Sequence, residues 1–127
     1  MEQRPALDPA VLDTLRRLTP PGEPDVLTEV LTLFLDEVPL RVERLRNAWA
    51  AGNIEEVRRA AHSLKGSAGN IGARRLHAIC SQLDEVGRSR ELDGAAALVD
   101  ELAAEFDKVS MEIRRLISAA SSGEAVT

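Results

Sequence analysis

The chain has 127 residues, which is enough for one domain with a sizeable buried core. Hydrophobic residues make up 44% and charged residues 29%, but aromatic residues only 2%, so we expect a globular chain with a core of aliphatic side chains. The net charge of −5 argues against a nucleic-acid partner, because binding to phosphates requires a basic surface.

The cysteine content and the apolar runs bear on the compartment. Cys80 is the only cysteine, so it cannot form an internal disulfide, which is typical of a reducing compartment. The N-terminus lacks the basic-then-apolar pattern of a secretory signal, and no apolar run reaches the roughly 20 residues that span a bilayer. We therefore expect a cytoplasmic protein without membrane insertion, and Met1 favours a free-standing protein over a piece of a longer one.

The first predicted element is a short helix. Asp8 is placed as its N-cap and Pro9 at its first helical position, and the run Pro20-Pro21-Gly22 ends it. Its apolar positions recur at steps of three residues: Leu12, Leu15 and Leu18. We assign residues 1–22 to this helix and a linker.

The second predicted helix starts near Pro24 and runs to about Ala51, where Gly52 is placed to end it. Pro39 lies inside this helix and is expected to kink it, because proline removes one backbone hydrogen bond. The apolar positions recur at steps of three and four residues and form one stripe: Leu27, Leu31, Phe34, Val38, Val42, Leu45 and Trp49.

Three further helices follow. The third begins at Asn53, which forms a capping-box-like start with Glu56, and its stripe is Ile54, Val57, Ala61, Leu64, Ala68 and Ile71. The fourth carries Leu76, Ile79, Cys80, Leu83 and Val86, followed by Gly87. The fifth begins near Leu92 or Asp93, ends at about Ser118, and carries Leu98, Leu102, Phe106, Val109, Ile113 and Leu116.

These patterns predict an all-α fold. Four amphipathic helices joined by short turns are typical of an antiparallel four-helix bundle, which we assign to residues 23–118, with the short additional helix at the N-terminus. Residues 119–127 are small and polar, and we expect them to form a flexible tail.

The surroundings of one histidine are unusual. His62 is rotated about 100° from Ala61 on the third helix and lies off the buried stripe. Residues three, four and seven positions away share its face: Arg58, Arg59, Lys65, Gly66 and Gly69. One imidazole is therefore flanked by three cations and by residues without side chains.

The presence of Gly66 and Gly69 inside a predicted helix calls for an explanation, because a glycine there lowers helix stability by about 1 kcal/mol relative to alanine. Close packing against another helix is one reason. Both positions lie away from the buried stripe, however, so we favour the other reason, which is that they clear space for a group that approaches His62.

Cations around an accessible histidine suit phosphoryl chemistry. Neutral imidazole is a competent nucleophile, and a phosphoryl group on a ring nitrogen brings close to two negative charges, which lysine and arginine stabilise. The chain has no glycine-rich nucleotide loop of the GxxxxGK[ST] type. The activated phosphoryl group therefore has to come from a partner.

The run from Ala61 to Ala73, AHSLKGSAGNIGA, resembles the signature of histidine-containing phosphotransfer (HPt) domains. The resemblance extends to Cys80, Leu83, Asp84, Gly87 and Arg88, and by architecture to residues 24–118.

This resemblance implies that His62 accepts a phosphoryl group from a receiver-domain aspartate and passes it to another receiver. Lys65 is then the cation beside the phosphoryl group, and Gly66 the small residue that makes room. The implied partners are response-regulator receivers, including that of a hybrid histidine kinase. The family needs no cofactor, the Mg²⁺ belongs to the receiver, and the protein has no independent catalytic turnover.

Two groups of residues keep two interpretations. Arg58 and Arg59 stabilise the phosphoryl group or form a solvated basic face. Val26, Leu33 and Leu40 share a face offset by about 100° from the stripe of the second helix. They widen the buried face and hold the first helix, which we favour, or they form an exposed patch where a receiver docks, together with Gly69.

Two other reactive residues are interpreted as inert. His77 has no metal-ligand spacing around it and is expected to be a surface histidine. Cys80 belongs to an apolar stripe and is expected to be a buried, unreactive thiol.

Two other function classes fit less well. A docking module that regulates a receiver or a histidine kinase without being phosphorylated has no use for His62, Lys65 and Gly66 together. An ATP-using histidine kinase core needs a nucleotide-binding domain that a chain of this length cannot hold in addition to the bundle.

Overall fold

The computed structural model describes residues 5–122, which fold into five α-helices and contain no strand. The helices are α1 (Pro9–Arg17), α2 (Val26–Ala50), α3 (Ile54–Asn70), α4 (Arg74–Ser89) and α5 (Ala95–Ser122). None of the helices in this range is long and apolar enough to cross a membrane.

The four long helices form a closed ring of neighbours. Helix α2 packs on α3, α3 on α4, α4 on α5, and α5 back on α2, while α1 packs on α2. Short turns join α2 to α3 and α3 to α4, which makes these neighbours antiparallel. The predicted four-helix bundle with an additional N-terminal helix is confirmed, and α3 lies diagonally across it from α5.

Aliphatic side chains fill the core, as the composition predicts. Nine of the largest that are almost fully buried are Leu31, Leu45, Leu64, Ile71, Leu76, Leu83, Leu102, Val109 and Ile113. The aromatic contribution is small, with Phe34 and Phe106 at a ring-centroid distance of 6.2 Å.

Capping residues fix the starts of the first three helices. Asp8 accepts a hydrogen bond from the Ala10 backbone N–H, as predicted for the N-cap of α1. Asn53 accepts one from Glu56 N–H at 3.1 Å and caps α3. Helix α2 begins at Val26 because Asp25, not Pro24, supplies the cap.

Three predicted positions differ at helix ends. Leu18 is the C-cap of α1 and is exposed, so it does not join the buried face of that helix. Helix α5 begins at Ala95, two to three residues later than predicted, because Gly94 has a positive φ of 80° in the preceding turn. The same helix continues to Ser122, past the predicted end at Ser118, since alanine at positions 119 and 120 favours helix. Residues 123–127 of the predicted flexible tail lie outside the described residues.

The turn between α3 and α4 is tied to the N-terminal segment. Asp8 N–H donates to the Gly72 carbonyl at 2.8 Å, and the Arg74 guanidinium pairs with the Asp8 carboxylate. Gly72 has a φ of 73°, and a Cβ atom there would lie only 2.9 Å from Val11 Cβ. Glycine is therefore required at this turn, which fixes the end of α3 relative to the start of α4.

Candidate functional site

His62 lies in the middle of α3 with its ring directed outward. Its side chain is 69% exposed, whereas the preceding Ala61 is fully buried. The helical rotation predicted from the sequence is therefore correct: Ala61 points into the core, and His62, the next residue, points to solvent. An incoming group can reach the imidazole without a change in the backbone.

A buried carboxylate on α4 holds one edge of this ring. The Nδ1 atom of His62 lies 3.2 Å from Oδ2 of Asp84, and Asp84 is only 1% exposed. A carboxylate can only accept, so this hydrogen bond requires the proton on Nδ1. The neutral ring then carries its unshared electron pair on Nε2, at the other side of the ring from Asp84.

Two cations approach the same carboxylate oxygen. Lys65 Nζ lies 3.9 Å from Asp84 Oδ2, and Arg88 Nη2 lies 3.6 Å from it. Both distances exceed those of a hydrogen bond, so each cation can turn toward another anion without breaking one. The second carboxylate oxygen, Oδ1, is buried and has no hydrogen-bond partner within the described part of the chain.

Helix periodicity on two neighbouring helices brings these four side chains together. His62 and Lys65 are three residues apart on α3, while Asp84 and Arg88 are four residues apart on α4. Arg88 thus lies one turn after the acid that it contacts. The arrangement therefore places one hydrogen-bond donor, His62, and two cations, Lys65 and Arg88, around one buried carboxylate.

Asp84 and Arg88 are the residues of this cluster to which the sequence analysis gave no role of their own. Both entered only as part of the family resemblance, and Asp84 is the more informative of the two. The signal was an acidic residue on the apolar stripe of α4, next to Leu83 and one turn after Cys80, both of which are buried. A buried carboxylate needs partners, and α3 supplies them.

The two glycines of α3 have different surroundings. A Cβ atom built on Gly66 would meet no described atom of another helix, and no side chain beyond its two chain neighbours, within 4 Å. A Cβ atom on Gly69 would lie 3.4 Å from Cδ2 of His77 on α4, so this glycine borders a side chain of the neighbouring helix. The space next to His62 is thus open at Gly66 and bounded by His77 at Gly69.

The two arginines that precede His62 pair with acids of their own helix. Arg58 Nη2 contacts Glu55 Oε1 at 3.1 Å, and Arg59 lies 3.8 Å from Glu55 and 3.9 Å from Glu56. None of the contacts found for these guanidinium groups is to His62 or Asp84. This geometry agrees with a solvated basic face.

The predicted face of α2 is mostly exposed. Val26 is half-buried, but the residues Leu33 and Leu40 are 55% and 62% exposed. Leu33 and Leu40 therefore do not widen the buried face, which corrects the favoured interpretation for those two residues. Next to Leu40, Arg41 donates a hydrogen bond to Ser67 Oγ of α3 at 3.1 Å, so this part of α2 adjoins the helix that carries His62.

The predicted locations of the two remaining reactive residues are confirmed. Cys80 is fully buried, and burial raises the pKa of its thiol to about 12. His77 is exposed on α4.

Comparisons with known proteins agree on one family. The model of the Hpt domain family matches residues 29–119. The crystal structure of histidine-containing phosphotransfer protein B (HptB) from Pseudomonas aeruginosa PAO1 is similar with a TM-score of 0.82 and 31% identity, covering 91% of this chain and 97% of that one.

Two curated plant proteins are also similar. Histidine-containing phosphotransfer protein 2 of Arabidopsis thaliana is 23% identical over 107 residues, which are 82% of this chain and 69% of that protein. Histidine-containing phosphotransfer protein 1 of Oryza sativa subsp. japonica is 31% identical over 94 residues, covering 72% and 64%.

Proposed function

The chain belongs to the Hpt domain family, as its sequence predicts, and we propose from this premise that it is a phosphorelay intermediate that carries a phosphoryl group on His62. The observation that supports His62 as the acceptor is its geometry. The ring is exposed, and the hydrogen bond from Nδ1 to Asp84 leaves Nε2 as the nucleophilic nitrogen.

Acceptance of the phosphoryl group is a displacement at phosphorus. Nε2 of His62 forms the N–P bond while the bond from phosphorus to the aspartate oxygen of the donor breaks, and that aspartate leaves as a carboxylate. No proton has to move, because Nδ1 keeps its proton. The ring becomes positively charged as its electron pair is used, and the Asp84 carboxylate at 3.2 Å stabilises that charge.

Lys65 and Arg88 are suited to the new negative charge. Each contacts Asp84 loosely in this structure, so each can turn toward the phosphoryl oxygens that appear on His62. Asp84 then retains the ring while the cations neutralise the phosphoryl group. Passing the group to the next aspartate reverses the same steps.

The partners in this proposal are receiver domains, and one of them belongs to a hybrid histidine kinase. The receiver brings the Mg²⁺ that the transfer needs, and this chain itself needs no cofactor. In this role the protein carries the group from one aspartate to another and has no catalytic turnover of its own. We propose the cytoplasm as the compartment in which it acts.

The test follows labelled phosphate. Receiver domains of the same organism are phosphorylated with ³²P on their aspartate and mixed with the protein. Label should appear on the wild-type chain, be labile to acid and stable to alkali, and vanish in His62→Gln with helicity unchanged. His77→Gln is the matched control, because His77 is the only other histidine and is also exposed, and it should be labelled normally.

Label that persists in His62→Gln, or that resists acid as phosphoserine does, contradicts the proposal. Binding of a receiver without any labelling of the wild-type chain favours the alternative, a docking module that regulates its partner without being phosphorylated.

A further inference from the structure

Gly87 marks an unusually close approach of two helices. It is buried inside α4, which continues to Ser89, so it does not end the helix. A Cβ atom built on Gly87 would lie 2.5 Å from Cβ and 3.1 Å from Cα of Arg58 on α3. The second of these atoms is backbone, so a larger residue at position 87 has to move one helix away from the other.

This approach lies one turn from the site. Arg58 precedes His62 by four residues on α3, and Gly87 follows Asp84 by three residues on the antiparallel α4. The contact between Arg58 and Gly87 is therefore next to the hydrogen bond between His62 and Asp84. Any change in the spacing of the helices at Gly87 reaches that hydrogen bond within a single turn.

The hydrogen bond has little tolerance for such a change. Its length of 3.2 Å is already at the long end of the usual range for an N–H···O bond. Moving the added Cβ of an alanine from 2.5 Å to an ordinary contact of 3.4 Å requires a displacement larger than the bond can absorb. Asp84 lies inside α4, so its carboxylate moves with the backbone of that helix and cannot shift toward His62 independently.

We infer that Gly87 is a positioning residue for phosphotransfer, because it lets α3 and α4 approach closely enough for Asp84 to hold Nδ1 of His62. The inference rests on the proposed function for its effect on transfer, but not for its effect on the imidazole. The role of Arg58 in this contact is steric, since the atoms that meet Gly87 are Cα, Cβ and Cγ, while its guanidinium pairs with Glu55.

The primary test reads the tautomer of His62 by ¹⁵N NMR of histidine-labelled protein, with His62→Gln assigning the signal. The wild-type ring should be protonated on Nδ1. Gly87→Ala should lose that preference, as should Asp84→Ala, and transfer from a ³²P-labelled receiver should slow on the order of 10- to 100-fold. Gly66→Ala is the matched control, because it adds a Cβ one turn from His62 without meeting another atom, and it should keep the wild-type tautomer.

A second substitution, on α3 opposite position 87, tests whether the spacing of the two helices is the cause. Arg58→Gly removes the Cβ and Cγ that an alanine at position 87 would meet at 2.5 and 2.9 Å, and leaves only the contact of 3.1 Å with Cα, which a shift of about 0.3 Å brings to an ordinary distance. The double variant Arg58→Gly/Gly87→Ala should therefore regain the Nδ1–H tautomer and most of the transfer rate. The double variant also decides the matter if Gly87→Ala does not fold. The inference is overturned if Gly87→Ala lowers the melting temperature but keeps the Nδ1–H tautomer of His62. It is also overturned if the double variant folds and does not regain that tautomer.

The two proposals fail in different measurements. Loss of the Nδ1–H tautomer in Gly87→Ala supports the positioning role whether or not a receiver labels the protein. Absence of any labelled His62 in the wild type refutes the phosphorelay role and leaves the tautomer result as it is.

Discussion

Asp84 is a buried charge that stability alone does not explain. Desolvation of a carboxylate is costly, and replacing a buried ion cluster by apolar residues is often neutral or stabilising. Asp84 nevertheless lies in the interface of α3 and α4, with His62, Lys65 and Arg88 around one of its oxygens. The benefit of this arrangement is a fixed tautomer at His62 and two cations that remain close to it.

The charge of Lys65 is expected to matter for transfer rather than for folding. Lys65→Ala should keep the wild-type melting temperature, because its contact with Asp84 is loose at 3.9 Å. Transfer should slow, or the phosphohistidine should decay faster, by a factor that corresponds to about 1–3 kcal/mol, the range of a hydrogen bond to a charged group. Time courses of label on the protein measure both effects.

The chain offers one matched control for that substitution. Lys108 is the only other lysine and is exposed on α5, so Lys108→Ala removes the same charge far from α3 along the ring of helices. A wild-type transfer rate in Lys65→Ala, or an equal loss in both variants, would reduce Lys65 to a solvated surface residue.

Cys80 is expected to be chemically silent in the folded protein. Burial raises the pKa of its thiol to about 12, so the reactive thiolate is scarce at pH 7 to 9 and the sulfur is out of reach of reagents. A thiol-reactive dye should label the native protein very slowly and the denatured protein at once. Rapid labelling at pH 8 without denaturant would show that α4 opens locally.

At the level of the helices, the sequence predicts the buried stripes because each follows from a single period of three and four residues. It also predicts the outward direction of His62, which depends only on its rotation from Ala61. It does not predict that Asp84 meets His62 or that Gly87 meets Arg58. Both contacts depend on the register and the spacing between α3 and α4, which are properties of two helices packed together and not of either segment.

The open position on α3 separates two explanations of Gly66. Because a Cβ there meets no described atom, Gly66→Leu should fold and gain stability of up to about 1 kcal/mol from helix propensity, which raises the melting temperature by about 2–5 °C. Phosphotransfer should nevertheless collapse, because a leucine one turn after His62 blocks the in-line approach of an aspartate.

Melting temperature and transfer rate have to be measured on the same Gly66→Leu protein. A stable but inactive variant supports the access explanation. A variant that melts several degrees lower would show that Gly66 is needed for helix packing. A variant that transfers at the wild-type rate would show that the incoming aspartate does not need the open space at Gly66.

At the scale of the whole molecule, the order of the helices separates the side of the bundle that carries His62, on α3, from the opposite side, on α5. Helix α3 carries His62 and adjoins α2 through the hydrogen bond from Arg41 to Ser67. Helix α5 lies diagonally across the bundle from α3. A receiver whose aspartate reaches His62 therefore meets α2 or α4 beside it, and the exposed Leu33 and Leu40 of α2 are apolar surface that such a partner can cover.

This geometry predicts that Leu33→Asp/Leu40→Asp weakens receiver binding and transfer on the order of tenfold, the usual size of an effect at an energetically important contact. The melting temperature should stay within about a degree, since both side chains are mostly exposed and substitutions at exposed positions rarely change stability. Titration of a receiver against the labelled protein gives the dissociation constant. Met111→Asp is the matched control, because Met111 is 70% exposed on α5, and it should leave binding unchanged. If Met111→Asp weakens binding as much as the double variant does, or if only Met111→Asp weakens it, the receiver does not use the exposed face of α2 that carries Leu33 and Leu40.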